Sequence, residues 1–142
     1  MPILITTNGF VDRRKKIRRF PITNIKEIDD QHQEILDKLN ELIDLVDGDM
    51  DQDKIILKLN EFSELLIIHF GTEEKYMIMS NFPDRAEHFE SHKDFLLTFI
   101  LDRKRFFSEE KPVDLNALAR EVAGHINAMD NKMALYLKKH HW

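Results

Sequence analysis

Apolar residues in this chain fall at helical spacings in four successive runs. In the first, from about Glu27, Ile28, Ile35, Leu36, Leu39, Leu42, Ile43 and Val46 recur every three, four or seven positions, and Gly48 closes the run as a C-terminal cap. The second opens behind Asp51 or Asp53 as N-cap and carries Ile56, Leu57, Leu59, Phe62, Leu65, Leu66, Ile68, Tyr76 and Met77. It is expected to stop near Asn81, because Phe82-Pro83 biases the preceding backbone away from helix. Asp84 then caps a third run through Phe89, Phe95, Leu96, Phe99 and Ile100 to about Phe107. Behind Pro112-Val113, Asp114 caps a fourth through Leu118, Val122, Ile126, Met129 and Met133 to about Leu137. Four long helices with short connections predict an all-α fold, an up-down-up-down antiparallel four-helix bundle.

The residues ahead of the first run read differently. Pro2, Pro21, the stretch Ile3-Leu4-Ile5-Thr6-Thr7 and Asn8-Gly9 punctuate against helix and suggest an extended N-terminal arm. The expected division is an arm over 1–23 and a bundle over 24–142. With 142 residues, 42% hydrophobic and 33% charged, and only four Gly and four Pro, the chain suits one helical globular domain.

A formal net charge of -5 argues against general nucleic-acid binding, which wants a basic face. The arm is a local exception: Arg13, Arg14, Lys15, Lys16, Arg18 and Arg19 crowd into seven positions. The simpler reading is a solvated segment pairing with the acidic body; the alternative is docking to an acidic partner or an anionic membrane surface. No cysteine is present, so disulfides and thiolate ligands are excluded. Neither a cleavable leader pattern nor an apolar run long enough to span a bilayer is visible, and the expected address is the cytoplasm.

The distinctive chemistry lies on the inward stripes. His69 and Glu73, and likewise His88 and His92, are four residues apart, so each pair projects from one helix face. His125 and Asp130 are five apart, a step that brings a short carboxylate round to the next stripe. With His32, these residues fall at comparable depth in the expected bundle. Five of the seven histidines would thus be buried with two carboxylates, which costs several kcal/mol unless each group is paired or ligated. Histidine with bridging carboxylate is a ligand mix for iron in bundle cores.

The stretches Ile28-Asp29-Asp30-Gln31-His32, His69-Phe70-Gly71-Thr72-Glu73-Glu74, His88-Phe89-Glu90-Ser91-His92 and His125-Ile126-Asn127-Ala128-Met129-Asp130 closely resemble the hemerythrins, particularly the bacterial ones, from about Ile25 to about Leu137. The resemblance implies a non-haem di-iron centre that binds dioxygen reversibly for storage, delivery or sensing. It implies that His88, His92 and His125 hold one iron and His32 and His69 the other. Glu73 and Asp130 would bridge the two irons together with an oxo or hydroxo group, leaving an open position on the two-histidine iron beside a dry pocket.

The chain also departs from that family. Glu121 and Val122 stand where hemerythrins typically carry Trp-Leu, Met133 replaces a Tyr, and Asn24-Ile25 replaces a Gly-Ile turn in an arm that lacks the expected Trp. Glu121, one turn before His125, either turns outward or enters the oxygen pocket with Val122, Ile126 and Phe70. The leading expectation is an oxygen-binding protein rather than an enzyme. A pocket-facing Glu121 would favour a redox protein that oxidises ferrous iron or reduces oxygen or peroxide. A third possibility is an interaction module docking through the basic arm.

Overall fold

A computed structural model describes residues 22–47, 52–109 and 115–142. The helices are α1 (Lys26–Asp47), α2 (Gln52–Met79), α3 (Arg85–Glu109), α4 (Leu115–His125) and α5 (Asn131–Lys139), with a π-helical turn, Ile126–Asp130, joining α4 to α5. The last three pieces form one continuous fourth helix, since His125, Asp130 and Asn131 all keep right-handed helical backbone angles. The expected all-α four-helix bundle is therefore the observed fold. The basic segment and all of the expected arm before Ile22 lie outside the described residues, as do Gly48, Asp51 and Asp114, expected as helix caps.

Cross-helix contacts give the directions. Glu27 of α1 meets Tyr76 of α2, while Lys38, further along α1, meets Glu61, earlier in α2. Asn60 of α2 bonds Arg103 of α3, and Glu74 bonds His92. Asp84, just ahead of α3, pairs with Lys132 of α5, whereas Ser91 reaches back to His125. Each helix is thus antiparallel to the one before it.

The helix ends have identifiable stops. Asn81 adopts a positive φ of 56°, the left-handed conformation that ends a helix, and the Phe82 amide returns to the Met77 carbonyl at 2.9 Å.

 Met77 and Phe82 also touch inside the core, completing a Schellman stop with Asn in the place Gly usually takes. At the same end of the bundle, Asp29 in the first turn of α1 reaches back to accept bonds from the Thr23 amide (2.8 Å), the Thr23 hydroxyl (2.7 Å) and the Asn24 amide (3.1 Å). Asp29→Ala strips all three acceptor contacts at once and should cost about 1–2 kcal/mol, lowering the thermal midpoint by about 3–6 °C. A midpoint unchanged from the parent would show that the reverse cap carries no stability.

The apolar interior is divided. A larger cluster gathers Leu39, Leu42, Leu59, Phe62, Phe99 and Leu118 among others, and a smaller one holds Ile28, Met77, Phe82, Met133 and Leu137. On the first, second and fourth helices the nearest buried members of the two clusters are seven residues apart: Ile28 and Ile35, Phe70 and Met77, Ile126 and Met133.

Candidate metal centre

His32 of α1, His69 and Glu73 of α2, His88 and His92 of α3, His125 closing α4 and Asp130 closing the π-turn are all buried, and they form the layer between the two apolar clusters. Their ligand-type atoms fall into two groups. Glu73, His88, His92, His125 and Asp130 make one, and His32, His69, Glu73 and Asp130 the other; within each, the atoms lie within 4.8 Å of one another. Both carboxylates belong to both groups.

The four-residue pairs meet by ordinary α-helical geometry. His125 and Asp130 do not: five α-helical steps would leave them about 140° apart. The π-turn removes that angle. The Asn131 amide donates to the Ile126 carbonyl, five residues back, and Asp130 Oδ1 comes to 3.0 Å from His125 Nε2.

Each carboxylate turns one oxygen to each histidine set. Glu73 Oε1 lies 2.9 Å from His92 Nε2 and 3.4 Å from His88 Nε2, while its Oε2 lies 3.1 Å from His69 Nε2 and 3.7 Å from His32 Nε2. Asp130 Oδ1 is 3.0 Å from His125 and 3.1 Å from His88; its Oδ2 is 3.0 Å from His32 and 3.7 Å from His69.

Three of the five outer ring nitrogens are tied elsewhere. His69 Nδ1 donates to Gln31 Oε1 at 3.0 Å, His92 Nδ1 to Glu74 Oε2 at 2.8 Å, and His125 Nδ1 meets Ser91 Oγ at 3.0 Å. Gln31 is itself held, its amide donating to Thr72 Oγ1, which donates on to the Ile68 carbonyl. This pattern fixes which nitrogen faces inward, as ligating histidines require. Inside the layer, Glu73 Oε2 and His125 Nε2 are buried and make no hydrogen bond, although each has a ligand-type atom about 3 Å away. Such atoms cost about 1–3 kcal/mol each when left so, and a cation in each of the two groups would satisfy them. The donor set, two carboxylates and five inward imidazole nitrogens, fits metal cations.

Without a metal, protons hold this layer together. Burial opposes a charged imidazole at His69, but the Glu73 and Asp130 carboxylates outweigh it and raise the group to about 9. His125 is raised to about 9 as well: burial again opposes the charge, and the Asp130 and Glu73 carboxylates beside it prevail. His32 and His88 are raised on the same balance. Burial disfavours ionised Glu73 and Asp130, yet the surrounding imidazoles hold both well below the usual carboxylate range.

Against the layer sits a cavity of about 10 Å³, room for roughly one water-sized guest. Ile35, Leu66, Phe70, Phe95, Val122 and Ile126 line it, and His69 and His125 form its polar edge. Phe70 also stacks on His92, with ring centroids 4.0 Å apart and planes 12° from parallel. Phe70, Val122 and Ile126, three of the residues expected around an oxygen pocket, thus line one cavity. Glu121, for which both an outward and a pocket-facing position were open, is exposed and absent from the lining. The buried stripe of α4 runs through Leu118, Ala119, Val122, Ala123 and Ile126, and His125 stands at its edge. One turn back, about 40° further round, is already outside. Met133 lies fully buried in the smaller apolar cluster.

Gln31, Thr72, Glu74 and Ser91 went unassigned by sequence reasoning. Their only signal was position, each being next to a ligand or a few residues from one on the flank facing a neighbouring helix.

Among the described residues, no helix is long and apolar enough to cross a membrane. The chain matches the family model for the hemerythrin HHE cation binding domain over residues 23–137. No curated protein and no solved structure matches it.

Proposed function

We infer that this chain, which belongs to the hemerythrin HHE cation-binding family, holds two iron ions and binds dioxygen reversibly for storage, delivery or sensing. The observation that carries the reading is the sharing of Glu73 and Asp130 by both ligand groups, one oxygen of each toward either side. His88, His92 and His125 would hold one iron and His32 and His69 the other, with the carboxylates and an oxo or hydroxo group bridging them. When bound, the pair supplies a reversible two-electron exchange with dioxygen, divided so that neither ion changes by more than one electron.

The chain's own residues supply the rest. Three neutral or hydroxyl-bearing and acidic outer partners, Gln31, Ser91 and Glu74, orient the imidazoles. The two-histidine group has fewer protein ligands than the three-histidine group, which leaves it the room for a guest, and His69 of that group edges the apolar cavity. No hydroxyl or carboxylate side chain lines that cavity among the described residues, so it offers no proton donor of that kind to a bound guest and little room for water. The redox alternative needed the Glu121 carboxylate in the pocket, and the exposed position of that side chain takes its support away.

The test is spectroscopic. Iron-loaded protein, reduced and exposed to air, should develop a visible charge-transfer band that disappears when oxygen is removed and returns on re-exposure. Prompt one-way conversion to the ferric form would sink the oxygen-carrying reading while leaving iron binding intact.

A further inference from the structure

Consecutive residues on a helix point about 100° apart, yet Glu73 and Glu74 of α2 both reach the same ring on α3. Glu73 Oε1 meets His92 Nε2 at 2.9 Å from inside the layer, and Glu74 Oε2 meets His92 Nδ1 at 2.8 Å from the α2–α3 seam. Phe70, one turn earlier on α2, covers the ring face. One helix therefore grips this imidazole on three sides. The outer acceptor is also distinct in kind: His69 has a neutral amide at its outer nitrogen and His125 a neutral hydroxyl, whereas His92 has a carboxylate. Glu74 is 38% exposed on its side chain, so it also links the buried ring to the surface.

We propose that Glu74 is a positioning residue for the three-histidine metal, fixing His92 as the Nδ1–H tautomer and strengthening Nε2 as a donor through its negative charge. A carboxylate accepting from Nδ1–H raises the basicity of the opposite nitrogen, and the two metal positions become unequal: the one served by His92 receives charge that the one served by His32 and His69 does not get from Gln31. The inference rests on the metal-centre reading above and concerns only which outer group tunes it.

The experiment uses the full chain as wild type, Glu74→Gln and Glu74→Ala. Competition against a chelator reads Zn²⁺ affinity and stoichiometry, nitrogen-15 NMR of the Zn²⁺-loaded protein reads the His92 tautomer, and the ferric/ferrous midpoint is read in the iron-loaded protein. Glu74→Ala should weaken one of two Zn²⁺ equivalents about 10–100-fold and lose the single tautomer signature. Glu74→Gln, which keeps an acceptor without the charge, should restore the tautomer, recover part of the affinity and shift the midpoint positive. Equal affinity, tautomer and midpoint in all three proteins would overturn the role of Glu74. So would an affinity loss matched by equal unfolding of the metal-free variants, with the tautomer unmoved. Failure of the wild type to bind Zn²⁺ or iron would instead overturn the metal-centre reading itself.

Discussion

Glu73→Ala should empty both metal positions together, whereas His88→Ala and His32→Ala should each empty one. Glu73 is fully buried and belongs to both ligand groups, while His88 serves only the three-histidine group and His32 only the two-histidine group. Elemental analysis after desalting should give a metal-to-protein ratio near two for the parent, near one for either histidine variant and near zero for Glu73→Ala. Affinity at both positions should fall by at least about a hundredfold, more than the loss of an outer partner causes. The variant should also be less stable without metal, by about 3 kcal/mol, because the imidazoles lose the anion that holds their protons. One tightly retained metal in Glu73→Ala would show that the two groups do not share their ligand.

The second large effect is a reversal of pH dependence on loading. In the metal-free protein His69 and His125 are raised from 6.5 to about 9, so their contribution to stability is fully present below pH 6.5 and is lost as pH climbs through about 9. At face value each is on the order of 3 kcal/mol, and less in combination because both lean on the same two carboxylates. Glu73 and Asp130 act in the other direction: held low, they stabilise above the ordinary carboxylate range and lose that contribution as pH falls through their folded values. Metal-free protein should therefore be most stable at about pH 4.5–6.5, and its thermal midpoint should drop by roughly 10 °C between pH 6.5 and 9. Metal-loaded protein should behave oppositely over that interval, since the cation replaces protons and binds better once they are gone. Melting curves with chelator and with Zn²⁺ at both pH values check this, and parallel slopes would contradict it.

Much of this was legible in the sequence because it follows from period alone. Apolar spacing set out four helices, and the four-residue steps from His69 to Glu73 and from His88 to His92 placed two ligand pairs without reference to anything distant. The step from His125 to Asp130 was recognised as unusual, but its cause was not. A π-turn shifts one amide's acceptor from the fourth to the fifth residue back, and Ile-Asn-Ala-Met-Asp has no composition that marks such a shift. Glu121 was open for a related reason: a glutamate one turn from an inward histidine is ambiguous until the width of the buried stripe is known. The outer partners were hidden more deeply. Gln31 serves His69 on another helix rather than its neighbour His32, and Glu74 serves His92, so adjacency in the chain gave no indication of the pairing.

The π-turn has a further consequence. It joins two half-helices that answer to different apolar clusters, α4 to the larger and α5 to the smaller. It acts as a phase joint: each half keeps the register its own end of the bundle demands, and the offset between them falls in the one layer where ligands, not packing, set the geometry. Folding and chemistry are thereby written on separate scales in the same helix. The apolar halves specify that it packs, and a single residue of length between them specifies whether Asp130 looks toward His125 or away.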